Sequence, residues 1–375
     1  MNVNIETLKY YIEHAQISLD KLKESIPNIE LFLSGERNPT FNQVSEVAKK
    51  LNIPTGLLLL ENPIEIKSKK LEFRTIDSMA MQAMSEELRD TILEMEGKQA
   101  FLREEIDFTL DFIGSCSIND DVSEVASIVR NKLQITEFFQ ENINKSDVFK
   151  FLQEKINNIG VFVFLNGKVG DNTHRPLSLD EFRGFVLVDD KAPIIFINQK
   201  DDSIGGKLFT LVHELVHLFI GADEILTDEE INNYFHNPVE VFVNKVTAEI
   251  LVPTNAFCAA LKIASKNIDE KIQLLADKFK VSKFVIVRRL YDLNDIDHSV
   301  YLSKTEELNK LFKEFQGRKK SSGGGSYNNN LKFRVDRRFF NYVQQAVNQN
   351  RISYTEAFRI IGVSYKGYKT LAESK

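Results

Sequence analysis

The most constraining feature of the chain is an apolar stretch at residues 211–221 that carries two histidines and a glutamate. It reads LVHELVHLFIG, with His213, Glu214 and His217 among large aliphatic and aromatic side chains. Residues four apart share a face of a helix, so His213 and His217 point the same way, as two ligands of one metal ion must. Because the flanking residues leave no polar face, this helix is predicted to be buried.

Burial of these three polar side chains indicates a metal ion. A carboxylate between two imidazoles is costly to bury without compensation, and a divalent cation would offset that cost. Glu214 lies beside the two histidines, where it could act as general base toward a metal-bound water. The alternative is a chance HExxH pattern on a surface helix, where these residues are ordinary solvated side chains. The apolar flanks favour the metal site.

The position of the third protein ligand distinguishes two kinds of site. One kind takes a residue six positions after the second histidine, with a glycine three positions before that residue. Asp223 is at the required position, but Ile220 stands where the glycine is needed, and Gly221 is one residue late. This pattern is therefore incomplete, and a glutamate from a following helix becomes the other option.

Residues 240–252 read as such a helix, which Pro253 ends. Glu240 is a candidate third ligand, and Asn244 lies one turn later, where it could reach a ligating histidine from behind. Glu249 is nine residues, about two and a half turns, after Glu240 and is the alternative ligand. On spacing alone, Glu240 could equally be a solvated glutamate that the dipole favours at a helix start.

The two segments together resemble the ImmA/IrrE family of zinc metallopeptidases. The resemblance is carried by FTLVHELVHLFIG at 209–221 and by the pattern ExxVNxxxAEILVP at 240–253. Two departures from the family pattern are mild: Val243 replaces the usual alanine, and Val252 stands where methionine is common.

This resemblance implies roles for the residues of the motif. It implies that His213, His217 and Glu240 are the zinc ligands and that Glu214 is the catalytic base, and it raises Glu240 above Glu249. It also implies limited proteolysis of a helix-turn-helix repressor or a related regulator in bacteria, phages or integrative elements.

The first 65 residues are predicted to form a compact helical domain, with helices over 18–26, 29–35 and 41–52. The pattern SGxxxPTxxQ…AKxLxIP resembles an Xre-type helix-turn-helix, which normally reads DNA with its second helix. Here that helix offers Asn28, Glu30 and Ser34 but no Lys or Arg, and residues 1–65 hold six basic against nine acidic side chains. Since phosphate affinity comes mainly from cations, packing or protein contact is an alternative role.

Residues 66–157 are predicted to be a helical connecting region. A long amphipathic helix from Ser85 to Ile113 carries many i,i+4 charge pairs, which are most simply a solvated face. Before it, residues 71–75 match a phenylalanine-arginine element of the family. Arg74 could anchor this element to the peptidase or could be an exposed side chain.

Residues 158–320 are predicted to be a zincin-like peptidase domain with a helical scaffold. Three β-rich runs, at 160–167, 182–190 and 192–198, should form a small sheet that flanks the HExxH helix. Either the second or the third run could pair with an extended peptide substrate. Residues 272–293 have the periodicity and turn of a further helix-turn-helix-like unit, which we interpret as scaffold. The predicted fold class is therefore α+β and mostly helical.

A Gly/Ser/Asn linker at 321–330 precedes a basic helical unit at 331–375. This unit holds nine basic and three acidic side chains, with tyrosines interleaved, and residues 353–364 suggest a small helical turn unit. It could bind nucleic acid or an acidic protein surface. The alternative is a basic segment that docks on the acidic body of the protein.

Length and composition agree with a two- or three-domain intracellular protein of 375 residues. Cys116 and Cys258 form no CxxC pair, which argues against a secreted disulfide scaffold and a thiolate metal site. No signal peptide and no apolar run long enough to span a membrane are apparent, so a cytoplasmic location is expected. The net charge of −6 gives no whole-chain signature of nucleic-acid binding.

Two functions remain open from the sequence. The first is a zinc endopeptidase in which Glu214 activates water, and His236 or Tyr234 could stabilise the oxyanion, although both could equally be surface loop residues. The second is a regulator that acts by binding DNA or protein, with a structural or weakly active zinc site. The intact HExxH favours the first function, because a structural site has no need of the glutamate.

Overall fold

The computed structural model describes most of the chain, in two compact units at Met1–Arg74 and Thr75–Lys375. The described residues are 4–14, 22–23, 26–51, 55–60, 63, 84–221, 225–226, 238–265, 267–318, 331 and 333–373. No helix in these ranges is long and apolar enough to cross a membrane. The predicted 321–330 linker lies outside the described residues, and the further division of the second unit stays a prediction.

The first unit consists of short helices around an apolar core. Helices α1 (Ile5–His14), α2 (Ile29–Leu33) and α3 (Phe41–Lys50) are followed by a 3-10 turn at Thr55–Leu59. Large side chains from all of these elements are buried together, including Tyr11 of α1 and Phe32 of α2. The helices predicted over 29–35 and 41–52 are present, each two residues shorter. The helix predicted over 18–26 lies largely outside the described residues.

The second unit is built around a small mixed sheet. Its strands are β1 (Phe162–Asn166), β2 (Gly184–Leu187), β3 (Ile194–Asn198) and β4 (Ile225–Leu226), in the spatial order β1-β3-β2-β4. β1 and β3 are parallel, whereas β2 is antiparallel to both β3 and β4. The three β-rich runs of the sequence thus coincide with β1, β2 and β3, and the predicted α+β class is confirmed.

Helices surround this sheet and form the larger part of the second unit. In chain order they are α4 (Glu86–Glu105), α5 (Val122–Leu133), α6 (Val148–Asn158), α7 (Ile204–Ile220), α8 (Pro238–Leu251), α9 (Thr254–Leu261), α10 (Ile268–Phe279), α11 (Lys283–Asp292), α12 (His298–Arg318), α13 (Arg337–Asn348), α14 (Tyr354–Ile361) and α15 (Tyr365–Glu373). A 3-10 turn at Phe139–Asn142 connects α5 and α6.

One face of the sheet and the helices α5 to α11 share a single apolar core. Alternate side chains of the strands, such as Val163, Val186 and Ile195, are buried with residues of α7 and α8. Successive side chains of a strand point to opposite faces, so the intervening residues form a second apolar surface on the other side of the sheet. That surface is rich in phenylalanine, so other elements must pack on it to keep it from water.

Helix α4 differs from the prediction in length and in environment. It ends at Glu105 rather than near Ile113, because Ile106 is extended and the following chain runs away from the helix. Its charges are not simply a solvated face. Lys98 is only 3% exposed, and Gln99 donates to the carbonyls of Leu187 and Ala192, which ties α4 to the sheet.

The C-terminal segment covers the aromatic face of the sheet. Phe339 of α13 packs edge-on against Phe164 of β1 and Phe101 of α4, with ring centroids 5.3 and 6.3 Å apart. Asp336 is 2% exposed, and its Oδ2 accepts a hydrogen bond from the Val163 amide on the outer side of β1. Its Oδ1 caps the start of α13. The segment therefore completes the packing of the sheet.

Most arginines of this segment are used inside the second unit. Arg334 pairs with Asp171 at 2.8 Å, and Arg351 pairs with Glu105 of α4. Arg338 and Arg337 donate to backbone carbonyls, one in α6 and one in α15. Most of these arginines therefore hold residues 331–375 within the second unit.

Replacing Phe339 with alanine should test this packing. Phe339 is fully buried, so the Phe339→Ala variant is expected to lose about 3–5 kcal/mol of unfolding free energy. The control is Phe333→Ala, because Phe333 is 59% exposed and its loss should change stability by less than about 0.5 kcal/mol. Urea unfolding followed by circular dichroism measures both. Equal losses in the two variants would contradict this packing.

Candidate metal centre

Helix α7 brings the HExxH residues into the interior of the second unit. Ser203 caps its start by accepting a hydrogen bond from the Gly206 amide at 3.0 Å. His213, Glu214 and His217 are at most 1% exposed. The helix is buried as its apolar flanks predict, and the chance pattern on a solvated surface helix is wrong.

Glu240 lies in the first turn of α8 and meets both histidines. Its Oε2 is 3.2 Å from His213 Nε2 and its Oε1 is 3.0 Å from His217 Nε2, and the two Nε2 atoms are 3.0 Å apart. Ligand atoms of a tetrahedral metal ion are about 3.3 Å apart when each bond is about 2.05 Å. The three side chains therefore fit around one ion and form a buried group able to bind a metal.

Asn244 fixes the orientation of His213. Its Oδ1 lies 3.1 Å from His213 Nδ1, and an amide oxygen can only accept a hydrogen bond. The proton of His213 is therefore on Nδ1, and Nε2 presents its lone pair to the other ligands. A ligating histidine that donates its second ring nitrogen to a fixed oxygen is the usual arrangement at metal sites.

Burial disfavours the charged form of His217. Burial lowers the pKa of this imidazole, and the adjacent His213 adds to the effect, while the hydrogen bond to Glu240 opposes it. A neutral imidazole is the form that binds a metal ion. Its Nδ1 is buried and has no hydrogen-bond partner among the described residues, so Asn244 has no counterpart for the second histidine there.

Glu249, the alternative ligand, has a different set of partners. Its carboxylate accepts hydrogen bonds from the amide and hydroxyl of Thr254 at 3.0 and 2.7 Å and forms an ion pair with Arg289. Arg289 also donates to the Val252 carbonyl at 3.1 Å. These bonds hold the connection between α8 and α9, at the opposite end of α8 from Glu240.

Glu214 lies where α7 passes closest to the sheet. A Cβ atom at Gly184 of β2 would be 3.2 Å from Glu214 Oε1, 2.6 Å from Thr210 Cγ2 and 2.9 Å from the Phe196 carbonyl. The absence of a side chain at Gly184 therefore lets the strand approach the carboxylate. The sequence carries a signal for this contact, because a glycine within a strand often marks the close approach of another group.

Strand β2 is also the better placed of the two candidates for pairing with an extended peptide. β3 has β1 on one side and β2 on the other over residues 194–197, so it offers no open edge there. On the outer side of β2, the pairs with β4 involve Gly184 and Phe185. Among the described residues, Val186 and Leu187 have no strand partner on that side.

Other residues singled out by the sequence lie outside the described residues. These are Asp223, the two oxyanion candidates Tyr234 and His236, and Arg74 in the element before α4.

Alanine at position 184 should disturb the contact between the sheet and α7. Gly184→Ala is expected to lower the unfolding free energy by about 1–3 kcal/mol, because the new methyl group would contact the backbone of β3 and side chains of the tightly packed α7. Gly97→Ala is the matched control: nothing lies within 4 Å of its Cβ position, and alanine should stabilise α4 by about 0.5–1 kcal/mol. Thermal unfolding measures both changes. A Gly184→Ala protein as stable as the wild type would contradict the close contact.

Comparison with known proteins agrees with this site. Residues 161–291 match the family model described as IrrE N-terminal-like domain, peptidase M78. That range contains α7 and α8, so the His213, His217 and Glu240 cluster lies within the matched residues and is consistent with a metallopeptidase. Residues 335–374 match a family described as a domain of unknown function.

The other comparisons add little. No curated protein matches the chain. Among solved structures, a Mycobacterium tuberculosis transcriptional regulator is similar over 45% of this chain, with 15% sequence identity and a TM-score of 0.26. The match spans about half of that regulator, 51% of its length, and we draw no argument from it.

Proposed function

We propose that the protein is a zinc-dependent endopeptidase that cuts a cytoplasmic regulatory protein at a limited number of sites. The observation that carries this proposal is the buried cluster of His213, His217 and Glu240. Glu214 lies beside the two histidines on α7 and is buried with them. The match of residues 161–291 to a peptidase family supports it.

Zinc is the metal that this donor set favours. Two imidazoles and one carboxylate are the ligands of a common class of catalytic zinc sites, whereas structural sites are closed by four protein ligands. His213, His217 and Glu240 would hold the ion. When bound, zinc lowers the pKa of a water molecule and polarises the substrate carbonyl.

Glu214 then has the role of general base. It takes a proton from the attacking water and delivers it to the nitrogen of the leaving amine. Its burial against β2 at Gly184 limits the positions open to its carboxylate. Asn244 contributes by holding the proton of His213 on Nδ1.

The proposed substrate is a helix-turn-helix repressor or an antitoxin-like partner. The support comes from the resemblance of the catalytic motif to the ImmA/IrrE peptidases and from residues 1–65, which resemble an Xre-type domain but carry six basic against nine acidic side chains. Such a unit could dock a folded protein partner without phosphate contacts. Val186 and Leu187 have no strand partner on the outer side of β2 among the described residues, and an extended peptide could add there as a strand.

The metal assignment can be tested by substituting each ligand. His213→Ala and His217→Ala should abolish stoichiometric zinc binding, and Glu240→Ala should weaken it strongly, because each removes one of three protein ligands. His174→Ala is the control, since His174 is exposed in a loop. Zinc content after dialysis, measured by mass spectrometry, gives the result. Full zinc content in Glu240→Ala with loss in Glu249→Ala would contradict the assignment.

Glu214→Gln separates the chemistry from the scaffold. Glutamine keeps the shape and can still hydrogen-bond, so zinc content and melting temperature should stay near those of the wild type. Cleavage should fall by about two orders of magnitude or more, as expected on loss of a general base. Fragments of candidate helix-turn-helix partners, mapped by mass spectrometry, report the cleavage. Full biological activity in this variant would instead favour a regulator that acts by binding.

A further inference from the structure

Helices α14 and α15 form a helix-turn-helix pair at the C-terminal end of the second unit. The connection is three residues long, and Gly362 closes α14 with a φ of 80°, a left-handed conformation that glycine adopts without strain. Ser364 then accepts a hydrogen bond from the Gly367 amide in the first turn of α15. A turn of three or four residues that often contains glycine is typical of helix-turn-helix units.

The relative position of these two helices is fixed by aromatic packing. Tyr368 of α15 lies against Phe358 and Tyr354 of α14, with ring centroids 5.4 and 5.9 Å apart. Ile361 and Leu371 are buried beside them. The pair is therefore a rigid surface that can meet a partner without refolding.

One side of the pair is attached to the body. The Cβ position of Gly362 lies 3.3 Å from Glu94 of α4, and Arg351 just before α14 pairs with Glu105. The α13 helix, which precedes the pair, packs on the sheet through Phe339. These contacts anchor α13, the residues before α14 and the turn at Gly362, while Tyr365, Lys366 and Lys369 of α15 stay exposed.

The exposed cations of the pair are Arg359 of α14 and Lys366 and Lys369 of α15. Together with the exposed Tyr365, we call them the α15 surface. Arg359 has an 81% exposed side chain, and Tyr365 is 67% exposed. Arg359 and Lys369 have only loose acidic neighbours on their own helices, at 3.8 and 3.7 Å.

We propose that the α15 surface binds duplex DNA, with α15 in the major groove. The second helix of such a pair fits that groove, and its N-terminal residues reach the base edges. Tyr365 and Lys366 occupy that end of α15, while Arg359 and Lys369 are placed to contact phosphates. An exposed tyrosine between cations on a convex helix fits a groove better than it fits a flat acidic protein surface. This binding is independent of the proteolytic chemistry.

The number of cations sets the expected strength and salt dependence. With Arg359, Lys366 and Lys369 each neutralising one phosphate, the logarithm of the binding constant should fall with the logarithm of salt concentration at a slope of about −2.7. Such an interface binds weakly at physiological salt and more tightly at low salt. Its contribution is therefore best measured at about 50 mM salt.

The experiment compares two full-length triple variants with equal loss of charge. Arg359→Ala/Lys366→Ala/Lys369→Ala removes the cations of the α15 surface. The control replaces three exposed lysines on other helices or their ends, Lys150→Ala/Lys262→Ala/Lys310→Ala. Fluorescence anisotropy with a labelled 30-base-pair duplex of mixed sequence measures affinity across a salt series, and circular dichroism checks that both variants fold.

The α15 variant should bind the duplex at least about tenfold more weakly than the wild type at low salt, with a shallower salt slope, while the control stays within about twofold. Equal weakening in both variants would mean that only the net charge matters and would overturn the proposal. An α15 variant that binds like the wild type would overturn it too. If the wild type fails to bind duplex even at low salt, the surface is not a DNA site, and a protein partner would be the class to test next.

Discussion

Residues 211–220 of helix α7 are apolar except for His213, Glu214 and His217, and the packing of the second unit depends on burying them. A helix without a polar face must be enclosed, and the sheet, α5, α6 and α8 supply that enclosure. Enclosure in turn removes water from His213, Glu214 and His217, so each needs a polar partner from the surrounding elements. Glu240 and Asn244 of α8 are these polar partners for the two histidines. The buried group able to bind a metal ion is thus a consequence of burying this one helix.

The sequence predicted the elements of this arrangement better than their contacts. The HExxH helix and β1 to β3 follow from local pattern, because periodicity and apolar runs depend on neighbours in the chain. The choice between Glu240 and Glu249 does not, because local pattern alone does not tell which face of the later helix packs toward α7. The two carboxylates are nine positions apart, about two and a half turns, and therefore lie on opposite faces of α8. Packing turns the face with Glu240 toward the histidines, while Glu249 bonds Arg289 and Thr254.

The amino-acid composition predicted the exposure of charged side chains poorly, both in the C-terminal segment and in α4. A count of basic side chains does not distinguish a cation that faces solvent from one that bonds a carbonyl or a carboxylate within the fold. Arg334 and Arg351 belong to the second kind, and Arg359 and Lys366 to the first. In α4, the i,i+4 pair of Glu94 and Lys98 matches the expected spacing, yet Lys98 is buried against Phe339. Charge pairing along a helix therefore says little about its exposure.

The hydrogen bond from Val163 to Asp336 has a consequence for biosynthesis. It joins the first strand of the sheet to a residue more than 170 positions later, and Phe339 then covers the aromatic face of the same strand. During synthesis, α7 and α8 leave the ribosome before the residues that complete the packing of this sheet. Until α13 emerges, the edge of β1 and its phenylalanines stay exposed to solvent and to neighbouring nascent chains. The sheet beside the candidate metal site is therefore fully packed only after a segment that is made much later than the site itself.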